Sequence, residues 1–181
     1  MTEEQQLAER CKNKDELAFK ELYDTYSRRL LALCARYIKT VESTEDIIHD
    51  SFIRIFESIG TFRYGGAGSL YSWMSSIVVH KAVDRLREEI KVTRVPLDDD
   101  IEDVDLMKSD VYSVPEKDLL EMIQSLPPGF RAVFNMYAID GYSHKEIGRI
   151  LGIKEKTSSS QYFRARTMLA AMINDYLRKN G

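Results

Sequence analysis

Apolar side chains recur every three or four positions along most of the first half of the chain. Ile48, Phe52 and Ile55 are typical, because they fall on one side of a helix with 3.6 residues per turn. Ser43 and Asp46, three residues apart, have the outline of a capping box and predict that this helix begins at Ser43. The same reasoning predicts helices over residues 3–12, 15–38, 43–59 and 69–91.

The fourth predicted helix has two apolar faces instead of one. Leu70 and Met74 lie on one face, whereas Val83 and Leu86 lie on nearly the opposite face. A surface helix buries one stripe, so this arrangement predicts a central helix that packs against different neighbours along its length. Glycines between residues 60 and 68 break the helical pattern before it and predict a loop.

The second half of the chain resumes the helical pattern at Pro115, a residue that is tolerated at the start of a helix. The last two helices predicted there have the signature of a helix-turn-helix, since Ser143 and Glu146 form a capping box and Gly152 marks the turn. The start of the second helix of such a motif enters the major groove of DNA. The full set of helices predicted here covers residues 115–126, 130–139, 143–151 and 155–178. The outward face of the last helix is expected to carry Lys156, Ser160, Phe163, Arg164 and Thr167.

The net charge of −3 is spread unevenly over the 181 residues. Residues 92–114 show no helical period and hold two basic and seven acidic side chains, whereas residues 115–181 hold ten basic and seven acidic ones. The first segment is therefore predicted to be an acidic, flexible linker. The predicted fold is all-α, with two small helical domains, residues 1–91 and 115–181, and a helix-turn-helix in the second. The acidic total argues against strong DNA binding by the chain alone.

Composition and motifs exclude several classes of protein. No apolar run approaches the ~20 residues of a membrane helix, and the polar start resembles no secretory signal. We therefore expect a cytoplasmic protein without membrane insertion. Cys11 and Cys34 match no metal spacing and are predicted to be reduced thiols. His49 and Asp50 form a dipeptide typical of helical metal phosphohydrolases. That metal site also needs a histidine earlier in the sequence, and none precedes His49. We expect no catalytic site, cofactor or metal.

Each half of the chain resembles a region of the bacterial RNA polymerase sigma factors. In the first half, the segments EDIIHDSFIRIFESIGTF and SLYSWMSSIVVHKAVDRLR are similar to the family's polymerase-binding and promoter-melting helices. In the second half, the segment LPPGFRAVFNMYAIDGYSHKEIGRILGIKEKTSSSQYFRARTML is similar to the family's promoter-reading domain. Two domains joined by an acidic linker, without an additional middle domain, resemble the extracytoplasmic-function (ECF) class.

The resemblance implies a factor that binds core RNA polymerase and directs it to promoter DNA. The first domain would melt the minus-ten element and capture an unstacked base, and the second would read the minus-thirty-five element as duplex. An anti-sigma factor is an expected partner, since members of this class are commonly held inactive by one. The acidic linker would run through the polymerase, which would supply much of the electrostatic affinity for DNA.

The resemblance also assigns residues of the first domain to two surfaces. Polymerase is expected to bind the outward face of the third helix, which we call the α3 face: Asp46, His49, Asp50, Ile53, Arg54 and Glu57. Minus-ten DNA is expected at the loop over residues 61–68 and at the helix that follows it, namely at Phe62, Arg63, Tyr64, Trp73 and His80. Aromatic rings and Arg planes suit the stacking of unpaired bases.

In the second domain, the resemblance assigns contacts with the minus-thirty-five element. Positions that match contacts with the DNA backbone are Arg131, His144, Lys145, Lys156 and Thr157. Positions that match base-reading ones are Ser159, Ser160, Phe163 and Arg164.

Three positions depart from the family's pattern. His80 stands where Asn is usual, Ser158 stands where Val or Ile is frequent, and Ser159 replaces a frequent basic residue. The promoter sequence therefore cannot be copied from a relative. One alternative stays open, a helix-turn-helix regulator that acts without polymerase. It explains the second domain equally well but gives the first domain and the linker no role.

Overall fold

A computed structural model describes residues 1–92 and 111–180 of the chain and divides into two compact units, Met1–Asp84 and Arg85–Gly181. Every regular element in the described ranges is a helix, in agreement with the predicted all-α fold. The acidic linker predicted over residues 92–114 lies mostly outside the described residues. No helix in the described part of the chain has the length and apolar content that a membrane crossing requires.

The first unit holds three complete helices and most of a fourth. They are α1 (Glu3–Lys12), α2 (Glu16–Ala35), α3 (Val41–Ser58) and α4 (Ser69–Val92). Thr2, Asp15 and Thr40 stand just before the first three helices, and each side chain accepts a hydrogen bond from an amide of the first turn. A single 3₁₀ turn, Ile59–Thr61, follows α3.

The apolar stripes predicted for α2 and α3 form the core of the first unit. Leu22 and Leu30 of α2 and Ile55 of α3 are fully buried. The ring centroids of Tyr23 and Phe52 lie 4.7 Å apart in a tilted arrangement that joins the two helices. Burial of each large apolar side chain stabilises the fold by roughly 1.5–3 kcal/mol, so the α3 face is held on a rigid support.

The start of α3 differs from its prediction. The helix begins at Val41, and Thr40 is its cap, accepting a hydrogen bond from the Ser43 amide at 3.3 Å. The predicted capping box of Ser43 and Asp46 was therefore wrong by one turn. Threonine and serine cap helices by the same chemistry, and Thr40 has the extended backbone that a cap requires.

Helix α4 contributes to both units, because the division falls between Asp84 and Arg85. Leu70 and Met74 are buried in its first part, and Leu86 is buried beyond the division. This agrees with the prediction, from two apolar faces, that the helix has different neighbours along its length.

The second unit contains the end of α4 and four further helices in the described residues. They are α5 (Glu116–Ser125), α6 (Pro128–Phe134), α7 (His144–Leu151) and α8 (Glu155–Asn180). Its hydrophobic core is formed by Leu126, Phe130, Ala165 and Leu169. The single helix predicted over residues 130–139 is instead α6 followed by a wider π-helical turn, Asn135–Ile139.

Both cysteines of the chain are free thiols buried in the first unit. Burial raises the pKa of Cys11 to about 11 and that of Cys34 to about 12, because desolvation disfavours the charged thiolate. Both therefore keep their proton at neutral pH.

Candidate functional site

The six residues expected on the α3 face are all exposed on one side of the helix. Ile53 is 46% exposed and lies among charged neighbours. Weak surface ion pairs join Asp50 to Lys81 at 3.7 Å and Arg54 to Glu57 at 3.6 Å. A rigid helix that presents charges around one apolar side chain can bind a partner protein with both electrostatic and apolar contacts.

A groove of about 340 Å³ lies beside this face and is lined by residues of both α3 and α4. Its lining residues are Arg54, Ser76, Ile77, His80, Lys81 and Asp84. The His80 Nδ1 atom lies 2.6 Å from the Ser76 carbonyl oxygen. A carbonyl only accepts hydrogen bonds, so Nδ1 is the donor and Nε2 of the exposed ring is an acceptor in the neutral form.

The loop over residues 61–68 presents some of its expected DNA-binding side chains and buries another. Arg63 is exposed and Tyr64 is half-buried. Phe62 is only 2% exposed, and its ring packs on the half-buried Trp73 with 5.6 Å between centroids. The expected base contact of Phe62 is corrected accordingly, because a ring enclosed in the core cannot stack on DNA. Trp73 keeps part of its surface outside.

Sequence reasoning missed two residues that hold this loop from the start of the chain. One Glu4 carboxylate oxygen accepts the Gly68 amide at 2.7 Å, and the other accepts the Leu70 amide at 2.6 Å. The Thr2 hydroxyl donates to the Tyr64 hydroxyl at 3.1 Å. No local signal reveals these contacts, because the partners are 62 to 66 residues apart in the sequence.

The predicted helix-turn-helix is present, formed by α7, a short turn and α8. The capping box of Ser143 and Glu146 is complete, with both the amide and the hydroxyl of Ser143 bonded to the Glu146 carboxylate. Gly152 ends α7 with a φ of 70°, in the left-handed region that suits glycine. A Cβ atom at Gly148 would lie 2.8 Å from the Ile153 carbonyl oxygen, so the turn packs tightly against α7.

The first turns of α8 present most of the expected DNA-contacting residues. Lys156, Ser159, Ser160 and Phe163 are exposed, Thr157 is half-buried, and Lys145 is exposed on α7. The Arg166 guanidinium lies over the Phe163 ring, 5.6 Å from its centroid, and the sequence did not suggest this cation–π contact. This face offers hydroxyls, cations and one aromatic ring, which are groups that bind base edges and phosphates.

The departure at Ser158 has a structural explanation. Ser158 is fully buried, and its hydroxyl lies 3.0 Å from Nδ1 of His144. The His144 ring is stacked on Tyr137 with 4.1 Å between centroids and an interplanar angle of 4°. The serine therefore replaces an apolar contact between α7 and α8 with a hydrogen bond, which fixes the ring that was expected to contact the DNA backbone.

Two arginines expected to contact DNA lie inside the second unit, which corrects both expectations. Arg131 is 0% exposed and donates to the Gln124 carbonyl at 2.7 Å and to the Glu89 carboxylate at 3.3 Å. Burial lowers its pKa, against the opposing effect of Glu89, and the group stays charged. Arg164 is also buried, as is Thr167, so α8 buries a wider sector than its apolar residues predicted.

The Arg131 contact follows from the two prolines before it. Pro127 and Pro128 lack amide hydrogens, so neither can bond to the last carbonyl groups of α5. The Arg131 guanidinium supplies the donor instead, at the Gln124 carbonyl. Its sequence position matches a DNA contact, but its hydrogen bonds close the end of a helix.

The described residues contain no group of three or more His, Cys, Asp or Glu side chains arranged to hold a metal ion. His49, which raised the question of a metal phosphohydrolase, is exposed on the α3 face.

Comparison with known proteins finds two sigma factor regions in this chain. The Sigma-70 region 2 family matches residues 22–91, and the Sigma-70, region 4 family matches residues 116–169. The chain is 31% identical over 167 residues to the ECF RNA polymerase sigma factor SigM of Mycobacterium tuberculosis, covering 88% of this chain and 79% of the relative. It is 27% identical over 192 residues to the RNA polymerase sigma-H factor of Pseudomonas aeruginosa, covering 98% and 97%.

The solved structures that resemble this fold include the following two. One is the sigma factor RpoE of Bartonella quintana in complex with the anti-sigma factor NepR, with a TM-score of 0.55, 19% identity and coverage of 86% of this chain and 96% of that one. The other is CnrH in complex with the cytosolic domain of CnrY, with a TM-score of 0.52, 19% identity and coverage of 93% and 96%. At this identity the likeness concerns the fold alone.

Proposed function

Because the chain belongs to the ECF class of RNA polymerase sigma factors, we propose that it binds core RNA polymerase and directs transcription initiation at specific promoters. One observation carries the proposal. A single chain combines the exposed, charged and apolar α3 face with a helix-turn-helix whose second helix exposes polar side chains. A regulator that acts without polymerase would use the helix-turn-helix and leave the α3 face without a partner.

The α3 face is the proposed polymerase-binding surface. Its apolar centre, Ile53, would be covered on binding, while Asp50 and Arg54 would pair with charges of the partner. Their present ion pairs are long and exposed, and such pairs contribute little to stability, about 0–1 kcal/mol. Exchanging them for intermolecular pairs therefore costs little.

Minus-ten DNA is the proposed ligand of the loop 61–68 and the exposed side of α4. Arg63 and Tyr64 would stack with an unpaired base, and the outer surface of Trp73 would support the strand junction. His80 would offer Nε2 to a base edge. Phe62 has no DNA contact in this proposal because it is part of the core.

Minus-thirty-five DNA is the proposed ligand of the helix-turn-helix. Ser159, Ser160 and Phe163 would face base edges, since they are exposed at the start of α8. Backbone contacts are assigned to the remaining accessible positions, namely His144, Lys145, Lys156 and Thr157. Arg131 and Arg164 are left out of the direct contacts because they are buried.

The uneven charge fits a factor that uses another protein to bind DNA. We propose polymerase-binding, linking and duplex-reading segments over residues 1–91, 92–114 and 115–181.

The chain itself is assigned no chemical step, because the polymerase would catalyse RNA synthesis. A factor with this role acts in the cytoplasm, where bacterial DNA is transcribed.

An anti-sigma factor is a further proposed partner. The exposed apolar side chain of Ile53 on the α3 face gives a covering protein a point of contact. Such a protein would compete with core polymerase for this surface. An Ile53→Glu variant would then lose affinity for both partners together.

Co-elution with core polymerase tests the proposal directly. The wild-type chain, mixed with purified bacterial core RNA polymerase, is expected to elute with it in size-exclusion chromatography. Asp50→Lys combined with Arg54→Glu should weaken this complex about tenfold or more, because the charges at the interface are reversed. The matched control reverses Lys20 and Asp24, an exposed pair 2.7 Å apart on α2, which lies outside the α3 face.

Selection from a random duplex DNA library, with and without polymerase, identifies the DNA target. Recovery of two conserved elements that requires polymerase supports the proposal. Recovery of one element by the chain alone, without co-elution, would contradict it and support the regulator that acts without polymerase.

A further inference from the structure

Helix α1 and its N-cap, Thr2, contact the loop that separates α3 from α4, and the start of α4, through three side chains. Thr2 donates to Tyr64, Glu4 accepts two amides, and the Lys12 ammonium lies 5.8 Å from the Phe62 ring centroid. The region 2 match begins only at residue 22, and the sequence assigns no role to the helix before it. These contacts connect α1 to the proposed minus-ten surface.

The Glu4 contact is the strongest of the three. Each carboxylate oxygen accepts one amide, from Gly68 at 2.7 Å and from Leu70 at 2.6 Å. Charged acceptors make short hydrogen bonds that are roughly twice as strong as neutral ones. Amides at the start of a helix have no partner within that helix, so a side chain from α1 supplies the acceptor for the Leu70 amide at the start of α4.

The loop needs such a contact because of its glycines. Gly66 and Gly68 have φ values of 115° and 82°, which glycine adopts without strain, and a Cβ at either would meet no atom within 4 Å. The internal hydrogen bonds are few, including the Gly65 amide to the Ser69 hydroxyl at 3.1 Å. Glycine residues permit many loop shapes, and the Glu4 carboxylate selects the one in which the Gly68 and Leu70 amides point to it.

We propose that Glu4 is a positioning residue for promoter opening: it holds the glycine loop in the shape that presents Arg63 and Tyr64 to an unpaired base. This inference rests on the proposed function. Glu4 is half-buried and both of its carboxylate oxygens accept backbone amides, so this proposal assigns it no contact with the DNA. Its effect is to preorganise the capture site, so that the ordering of the loop is complete before the base arrives.

Three variants separate this role from a general effect on folding. Glu4→Ala removes both acceptors, and Glu4→Gln keeps one oxygen but places an amide donor against a backbone N–H. Glu3→Gln is the matched control, because the exposed Glu3 carboxylate is on the same helix and makes none of these contacts. All three change the charge by the same amount.

Hydrogen exchange followed by mass spectrometry measures the hold of Glu4 on the loop. Amides of residues 66–70 are expected to exchange about tenfold faster in Glu4→Ala than in the wild type, because each charged hydrogen bond contributes a factor of this order. The Glu3→Gln control should exchange as the wild type does. Equal exchange in all variants would overturn the proposal.

Binding by the holoenzyme measures the functional consequence. The probe is a single-stranded oligonucleotide with the minus-ten sequence obtained by selection. Its affinity should fall about tenfold in Glu4→Ala and less in Glu4→Gln, while the affinities for core polymerase and for minus-thirty-five duplex stay within twofold. A merely structural role would lower all three affinities together, and that result would contradict the proposal.

Two further outcomes are decisive. Faster loop exchange with unchanged oligonucleotide affinity would show that loop shape does not limit base capture, and Glu4 would have no positioning role. If the wild-type chain selects no promoter with polymerase, the proposed function fails and this inference fails with it. In that case the exchange experiment still reports the Glu4 contact, so the two failures are distinguishable.

Discussion

The loop before α4 and the turn of the helix-turn-helix are closed in different ways. The loop is held by Thr2 and Glu4, from positions 62 to 66 residues earlier in the chain. The turn is held within a few residues, by the capping box of Ser143 and Glu146 and by the Ile153 amide bonded to the Gly148 carbonyl at 3.0 Å. Local contacts can be predicted from a motif, whereas remote ones require the fold.

This difference also has an energetic side. A local turn forms with its helices, because bringing its ends together requires little loss of chain entropy. A loop held from a distant helix becomes ordered only after that helix has docked. The proposed duplex-reading surface is therefore built into a motif, and the proposed base-capturing surface depends on the assembly of the whole first unit.

The largest expected effect comes from removing a core side chain of either unit. Leu126→Ala and Leu22→Ala each empty a fully buried position and should destabilise their own unit by about 2–5 kcal/mol. Leu126→Ala should abolish minus-thirty-five duplex binding by the polymerase complex and spare core polymerase binding, whereas Leu22→Ala should abolish core polymerase binding. Urea titration measures both units, since Trp73, the single tryptophan, reports on the first unit and circular dichroism on all helices.

The same urea titration tests whether the two units unfold independently. If Leu126→Ala lowers the fluorescence midpoint of Trp73 as much as the circular dichroism midpoint, the two units unfold together. The distinction between local and remote closure would then have no counterpart in stability.

An intermediate effect is expected at the turn between α7 and α8. Gly148→Ala places a Cβ atom 2.8 Å from the Ile153 carbonyl oxygen and should destabilise the second unit by about 1–3 kcal/mol. The control is Gly60→Ala, where no atom lies within 4 Å of the new Cβ. Circular dichroism melts measure both variants. Wild-type stability in Gly148→Ala would show that the turn is looser than its close contact indicates.

The smallest expected effect is the pH dependence of the capping box. The hydroxyl and amide hydrogen bonds from Ser143 hold the pKa of Glu146 below its ordinary value of 4.5. A lowered folded-state pKa stabilises the fold above pH 4.5, and this contribution is lost as the pH falls through the folded value. Glu146→Gln should therefore melt below the wild type at pH 7, and the difference should close as the pH falls through the folded-state pKa. A difference that is constant with pH would contradict this origin.

Most of the fold could be predicted from the sequence because its signals are local. Apolar periodicity found the helices, and the capping box and Gly152 found the helix-turn-helix. The residues of the α3 face were assigned by the family resemblance, and the buried stripe on the opposite side of the helix accounts for their exposure. The missed cap at Thr40 shows the limit of this method, since two hydroxyl residues three positions apart both satisfy the rule and the backbone decides between them.

The site predictions that the structure corrects depend on remote packing. Phe62 follows the 3₁₀ turn after α3 and packs in the core against Trp73, eleven positions later in the sequence on α4. Arg131 is held by the carbonyl groups that end α5 and by Glu89, 42 residues earlier. A motif gives the type of residue at a position, but the direction of its side chain follows from neighbours that the motif does not contain.

The two buried cysteines have a consequence for how the cell could control this factor. Peroxide and other oxidants react with thiolates, and the pKa values of about 11 and about 12 leave Cys11 and Cys34 protonated under physiological conditions. Oxidants should therefore leave these two thiols unmodified. A thiol-based redox signal that reaches its promoters would have to be sensed by another protein.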